Sequence, residues 1–204
     1  MSELQNNEQW FADRCGYASA SCFADVMAKG EGKTRAKYLL KIVAERLTGK
    51  SQESGYTNAD MQRGTEQEPY ARMAYEAKTG NLVQEVGFLK HASIMAGCSP
   101  DGLVDDDGGI EMKCVIPTVQ IATIQRGALP PEHKAQVQGS LFVTERKWWD
   151  FVSYSPDLPA NLRLFVFRAV RDEEYIKTLE AEITRFLNDV DTEVAKLSEY
   201  GRDA

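Results

Sequence analysis

The chain has 204 residues, 24 Lys and Arg against 31 Asp and Glu, and a formal net charge of −7. That length suits one compact domain spanning 1–204, and 43% hydrophobic residues can fill a core. The negative balance argues against a general nucleic-acid coat. No apolar run is long enough for a membrane span, and the polar stretch 1–8 lacks the apolar centre of a signal peptide, so a cytoplasmic location is expected.

In chain order, residues 34–48 read as a helix. Tyr38, Leu39, Ile42, Val43 and Leu47 form one stripe, and Gly49 is a stop. Residues 58–79 read as a second helix ended by Gly80, with Pro69 expected to kink it or split it near Glu66 to Glu68. Residues 81–90 read as a strand. Asp105-Asp106-Asp107-Gly108-Gly109 reads as a turn, because Asp-Gly and Gly-Gly favour hairpins. A short helix is expected at 118–126, and Pro130-Pro131-Glu132 opens another that runs through Ala135 to Val143. Lys147 to Ser155 and Leu162 to Val170 are aromatic and β-branched, and read as strands. An acidic helix at about 172–199 closes the chain. Its stripe of Tyr175, Ile176, Leu179, Ile183, Phe186, Leu187, Val190, Val194 and Leu197 suits a core or an oligomer contact. The sum is an α/β fold with a central mixed β-sheet flanked by helices.

Charge is unevenly spread. Residues 29–50 carry seven bases and two acids, and residues 171–204 carry five bases and ten acids. One face is therefore suited to an anion and another to solvent or a partner, unless both are simply solvated helix faces. The four cysteines, Cys15, Cys22, Cys98 and Cys114, include no C-x-x-C pair, so a zinc ribbon is not expected and reduced, partly buried thiols are. His91 and His133 are isolated and expected to be non-catalytic.

The chemistry concentrates around the expected hairpin. In a strand, Ile110, Met112 and Cys114 face one way and Glu111 and Lys113 the other. Folding back at the turn brings Asp101 towards Glu111. Two ionised carboxylates suit a hard cation such as magnesium. The Lys113 ammonium is then placed to orient an attacking water or to stabilise phosphorane-like charge. On spacing alone, an acidic hairpin with a solvated lysine is the more common outcome, and the alternation around Glu111 and Lys113 is what shifts the balance.

Five blocks occur in a fixed order. They are Arg14 and Ser21; Arg63-Gly64 with Glu68 and Ala71-Arg72; Cys98-Ser99-Pro100-Asp101-Gly102-Leu103; Glu111-Met112-Lys113-Cys114; and Ala135-Gln136-Val137-Gln138. In this order the chain resembles the phage lambda exonuclease family, the YqaJ-like viral recombinases of the PD-(D/E)xK nuclease superfamily. The resemblance runs from about residue 10 to about residue 175. It implies a restriction-endonuclease-like core and a magnesium-dependent 5′ to 3′ exonuclease. Such an enzyme degrades one strand of linear double-stranded DNA to mononucleotides and leaves 3′ single-stranded tails for single-strand-annealing recombination.

Residue by residue, the resemblance implies the following. Asp101 and Glu111 hold the metal with the Met112 carbonyl, Lys113 positions water, Glu68 orders water and lysine, and Gln136 ends the core motif. Arg14, Ser21 and Ser99 grip the 5′-phosphate, and Met61 is the wedge that unpairs the end. It also implies two Mg2+ ions with Mn2+ an acceptable substitute, a homotrimeric ring around DNA, a single-strand annealing partner and a phage or prophage origin in a bacterial host. Lys113 would work best partly neutral, so activity is expected to rise into alkaline pH.

The chain departs from the family in one place. The segment between Lys113 and Gln136 is shorter, and a further phosphate-binding arginine falls on Val119, with Arg126 nearby as a substitute. Two other readings stand beside this one: a PD-(D/E)xK endonuclease of repair or restriction, and a non-enzymatic DNA-end binding accessory protein.

Overall fold

Two sheets meet at the segment Ser99-Pro100-Asp101. The computed structural model describes residues 4–28, 33–53 and 59–202, with the backbone alone for 59–61. The order is α1 (Glu8–Arg14), β1 (Ala18–Ser19), a 3-10 turn (Ala20–Cys22), α2 (Phe23–Met27), α3 (Lys33–Thr48), α4 (Ala59–Thr79), β2 (Val83–Gln84), β3 (Leu89–Lys90) and β4 (Ala96–Cys98). Then come β5 (Gly102–Val104), β6 (Gly108–Cys114), α5 (Pro117–Arg126), α6 (Pro131–Thr144), β7 (Trp148–Tyr154), β8 (Leu164–Val170) and α7 (Glu173–Glu199).

The larger sheet runs β2-β5-β6-β7-β8, and the smaller β1-β4-β3. In the larger sheet β6 and β7 are parallel and the other pairs antiparallel, which makes the expected mixed sheet. Parallel register sets Ile110 beside Asp150 and Glu111 beside Phe151. Alternation then sends Ile110 and Asp150 to one face and Glu111 and Phe151 to the other. α4 covers the first face, where Ala71 and Tyr75 pack with Ile110, Met112 and Val152. α6 lies over the second and joins the main core with α2, α3 and α7. The α7 stripe is buried from Ile176 through Val190, and Leu197 in its last turns is exposed.

Two sequence expectations are corrected, and a third is narrowed. Pro69 does not split its helix, because α4 runs unbroken from Ala59 to Thr79 with Pro69 inside it. Pro69 is exposed, so the hydrogen bond it cannot donate faces water, while buried Ala71 and Tyr75 hold the helix down. The strand expected over 81–90 is two short pieces in different sheets, β2 against β5 and β3 against β4. Gly108 and Gly109 belong to β6 rather than to the turn, which is Asp105–Asp107 with Asp105 at φ 46. A Cβ at Gly108 would lie 2.0 Å from the Trp148 ring, and one at Gly109 would lie 2.3 Å from the Trp149 ring. The two glycines are seats for neighbouring indoles.

The uneven charge is partly spent inside the molecule. Arg35 of α3 pairs with Asp189 of α7 at 2.7 Å, and Arg46 pairs with Asp191. No described helix is long and apolar enough to cross a membrane. All four cysteines are free thiols, Cys98 buried and the others half-buried.

Candidate active site

The chain leaves the smaller sheet at Cys98 and enters the larger at Gly102. The three residues between them serve two adjacent sites, Ser99 on the α1 side and Asp101 on the β6 side.

On the β6 side, Asp101 Oδ2 accepts the backbone N–H of Met112. Glu111 is 2% exposed, and its Oε1 accepts both Lys113 Nζ and Gln136 Nε2, each at 2.7 Å. Among the described residues no donor takes Oε2. Burial pushes the Asp101 carboxyl well above the usual carboxylate range; the Glu111 charge adds to this, Lys113 opposes it, and Glu68 adds further. Burial also raises Glu68, against Arg72, whose guanidinium lies 3.1 Å from it. Arg72 is held in turn by Glu85. Asp101, Glu111 and Glu68 thus repel one another, and Lys113, paired with Glu111, and Arg72, paired with Glu68, answer them only in part; a further cation would relieve the rest. Among the described residues no three His, Cys, Asp or Glu side chains converge tightly enough to hold an ion unaided. Asp101 and Glu111 offer carboxylate oxygens only, the donor type that a hard cation such as Mg2+ takes.

The Glu111 charge, chiefly, pushes the Lys113 ammonium's pKa above the ordinary lysine value.

On the α1 side, Ser99 Oγ accepts Arg14 Nη1 and Trp10 Nε1, both at 3.0 Å, and the guanidinium lies 4.0 Å from the centre of the Trp10 ring. Arg14 Nη2 reaches Glu53 Oε1 at 2.8 Å, and Lys41 Nζ reaches the same oxygen at 3.1 Å. Burial acts to raise the Glu53 carboxyl, but the Arg14 and Lys41 charges prevail and hold it below its usual value. Arg14 Nε is buried and has no hydrogen-bond partner among the described residues.

Of the sequence candidates, the structure brings Asp101, Glu111, Lys113, Met112, Gln136 and Glu68 together, and joins Arg14 to Ser99. Ser21 is exposed in the 3-10 turn and bonds Ser19 at 3.2 Å rather than Arg14 or Ser99. That turn still borders the pocket, since the Lys41 and Arg14 charges both act on the Cys22 thiol. Val119 and Arg126 are exposed on α5. Met61 lies in the early turns of α4, and its side chain is outside the described residues.

Sequence reasoning missed Trp10, Lys41 and Glu53. It also read His133 as isolated. His133 stacks on Phe151 at 5.1 Å, one turn before Gln136, and burial followed by the Lys113 charge lowers its pKa. Its spacing of three from Gln136 was the available signal.

With this geometry in place, comparison decides the family. A profile of the YqaJ-like viral recombinase domain matches residues 9–147. The chain belongs to the YqaJ-like viral recombinase family. Curated protein sequences give no match. Among solved structures, the family member is similar to an alkaline exonuclease, LHK-Exo, from Laribacter hongkongensis, at 42% identity and TM-score 0.88 over 95% of this chain and 97% of that one. The same exonuclease in complex with dAMP matches equally well. A phage-related exonuclease from Haemophilus somnus 129PT shares the fold, at TM-score 0.68 and 13% identity over 89% of this chain and 96% of that one.

Proposed function

We propose that this YqaJ-like chain is a metal-dependent exonuclease that digests one strand of linear double-stranded DNA from its 5′ end, releasing mononucleotides and leaving 3′ single-stranded tails. The observation that carries the reading is buried Glu111, held on one oxygen by Lys113 and Gln136 beside Asp101, which stands two residues along the chain from Ser99 and its Arg14 partner. The likeness to an alkaline exonuclease across 95% of the chain supports it, and the dAMP bound by that relative is a mononucleotide of the class such a reaction releases.

Asp101, Glu111 and the Met112 carbonyl would hold Mg2+, two ions with Mn2+ as substitute. When bound, such ions act as Lewis acids and lower the pKa of water. The chain's own groups do the rest. Gln136 fixes the Glu111 rotamer, and Lys113 holds the attacking water and offsets charge on the phosphoryl oxygens. Glu68, steadied by Arg72, orders water beside Lys113. Arg14 and Ser99 hold the terminal phosphate, with Ser21 at the rim and Met61 as the wedge. Neutralising Glu111 removes the charge that keeps Lys113 protonated, so activity rises into alkaline pH.

A homotrimeric ring around DNA and a single-strand annealing partner complete the proposal. Lys33, Lys37 and Lys50, exposed in the basic segment, are the bases for the ring lining, since Arg35, Lys41 and Arg46 are committed to ion pairs.

The test is nucleotide release with Mg2+ or chelator from a 5′-phosphorylated linear duplex, its 5′-hydroxyl counterpart and a closed circle, with Asp101→Ala as control. Expected is Mg2+-dependent loss of the linear DNA, fastest with 5′-phosphate, with the circle intact and the variant dead. A cut circle would move the chain to the endonuclease reading. No cleavage of any substrate would leave DNA-end binding.

A further inference from the structure

We propose that Lys41 and Arg14 form one two-cation seat for the terminal phosphate monoester of a DNA end, and that Glu53 is the chain's own occupant of that seat, displaced when DNA enters. This deepens the end-binding reading above and rests on it.

Both cations converge on a single oxygen, Glu53 Oε1, at 2.8 and 3.1 Å. The Arg14 side chain is only 12% exposed and that of Lys41 27%, so neither is a solvated surface charge. Left empty, the seat would hold two neighbouring positive charges with little water to screen them. Glu53 supplies the missing anion. Its fit is incomplete, because Arg14 Nε remains buried and without a partner among the described residues. A phosphate monoester carries close to two charges and three acceptor oxygens, which matches two cations and a spare donor better than one carboxylate oxygen does.

The seat survives when its occupant leaves. Arg14 keeps Ser99 and the Trp10 face. Lys41 keeps Glu45 one turn along α3 at 3.9 Å. Glu45 is itself buried and fixed by the N–H groups of Gly16 at 2.9 Å and Gln52 at 3.0 Å. Glu53 sits in the non-helical run 51–53 beyond α3, where its N–H donates to Ser51 at 3.2 Å. The position also fits the chemistry, since Ser99 on the seat and Asp101 at the carboxylates are separated by Pro100 alone.

The experiment measures kcat and KM on 5′-phosphorylated and 5′-hydroxyl linear duplexes for the full chain, with Mg2+. The readout is the ratio of kcat/KM between the two ends. Lys41→Met lowers that ratio by about tenfold to a hundredfold, the range for losing one charge-assisted hydrogen bond, and Lys41→Arg retains most of it. Glu53→Gln raises the ratio severalfold, mainly through a lower KM on phosphorylated ends. Equal losses on both ends in Lys41→Met would place the lysine in the scaffold or on backbone phosphates and overturn the proposal. A ratio unchanged or lowered in Glu53→Gln would overturn the role of occupant. Arg14→Ala separates the two levels: a ratio that survives it sinks the end-binding reading and this inference together. A ratio that collapses there but persists in Lys41→Met sinks this inference alone.

Discussion

Two buried carboxylates sit on adjacent strands and face opposite sides of the same sheet. Asp150 on β7 is 1% exposed and Glu111 on β6 is 2% exposed. Asp150 is fully satisfied: Arg168 Nε and Nη2 reach its two oxygens at 2.8 Å each, and the Tyr75 hydroxyl donates at 2.7 Å. The guanidinium also covers the Trp148 ring at 3.6 Å. Glu111 takes both of its donors on one oxygen, and its carboxylate neighbours Asp101 and Glu68 repel it. Burial is equal in the two cases. What differs is whether the charge has been answered from within the chain. An answered carboxylate belongs to the scaffold, and a half-answered one among like charges is set up for something the chain does not contain.

Exchanging the two sites' fates is the strongest test. Glu111→Gln removes the charge but keeps the shape and most of the hydrogen bonding. Activity should fall about a thousandfold, equivalent to ~4 kcal/mol of transition-state stabilisation. Thermal stability should stay within about 1 kcal/mol, because relief of the Asp101 repulsion offsets the lost Lys113 pair. A matching loss of Tm would show that Glu111 is scaffold and break the comparison. Arg168→Met should do the reverse. It leaves Asp150 buried with Tyr75 alone, at a cost of about 3 kcal/mol, or about 6–12 °C of Tm in a chain of this size. Activity per folded molecule should change only a few-fold. A Tm within about 2 °C of wild type would show that Arg168, half-exposed, contributes no more than a surface pair.

The sequence made one of these two carboxylates visible and hid the other. Glu111 stands in a strand with clear alternation, near a turn signal and an aspartate, so its partners are close along the chain. Asp150 is satisfied by Tyr75 and Arg168, 75 and 18 residues away, and nothing local announces the pairing. The same limit explains the other differences. The α3 and α7 stripes were legible because each helix carries its own period. The role of Gly108 and Gly109 depends on indoles 40 residues later, and the local Gly-Gly pattern pointed to a turn instead. Lys41 and Glu53 looked like unremarkable charges until the fold set both against Arg14. Local patterns therefore gave the face that carries Glu111 and Lys113 and the helices, whereas the contacts of Lys41 and Glu53 with Arg14 needed the tertiary fold.

A finer probe of the scaffold side is Tyr75→Phe, which removes one hydrogen bond from Asp150 and one from Asn81. The expected cost near neutral pH is about 1–2 kcal/mol, with activity retained. Its pH dependence has a definite sign. Burial first, and then the Asp150 hydrogen bond and charge, push the Tyr75 hydroxyl from 10.0 up to about 12, so the fold favours the neutral phenol. That stability is fully present below pH 10 and is lost as pH rises towards 12. Phenylalanine does not titrate, so the gap in urea midpoint between wild type and variant should narrow across that window. A gap that widened there would mean that Asp150 does not hold the phenol neutral.

The smallest effect belongs to the rim between α3 and α7, where the acidic partners of the ion pairs stand largely exposed. Arg35 pairs with Asp189 at 2.7 Å and also lies 5.3 Å from the centre of the Phe186 ring. Asp189 is 47% exposed, so water and salt screen most of the attraction. A double-mutant cycle of Arg35→Ala with Asp189→Ala should give a coupling below about 1 kcal/mol that shrinks further in high salt. Arg35→Ala alone can cost more than the coupling, because the arginine stem also covers apolar surface beside Phe186. A coupling above about 2 kcal/mol would mean that the basic and acidic segments hold the molecule together through charge, and that an answered charge is not always a minor one. A weak coupling leaves the apolar stripe of α7 as the source of that packing, and the ion pairs as a way of matching one charged segment to another of opposite sign.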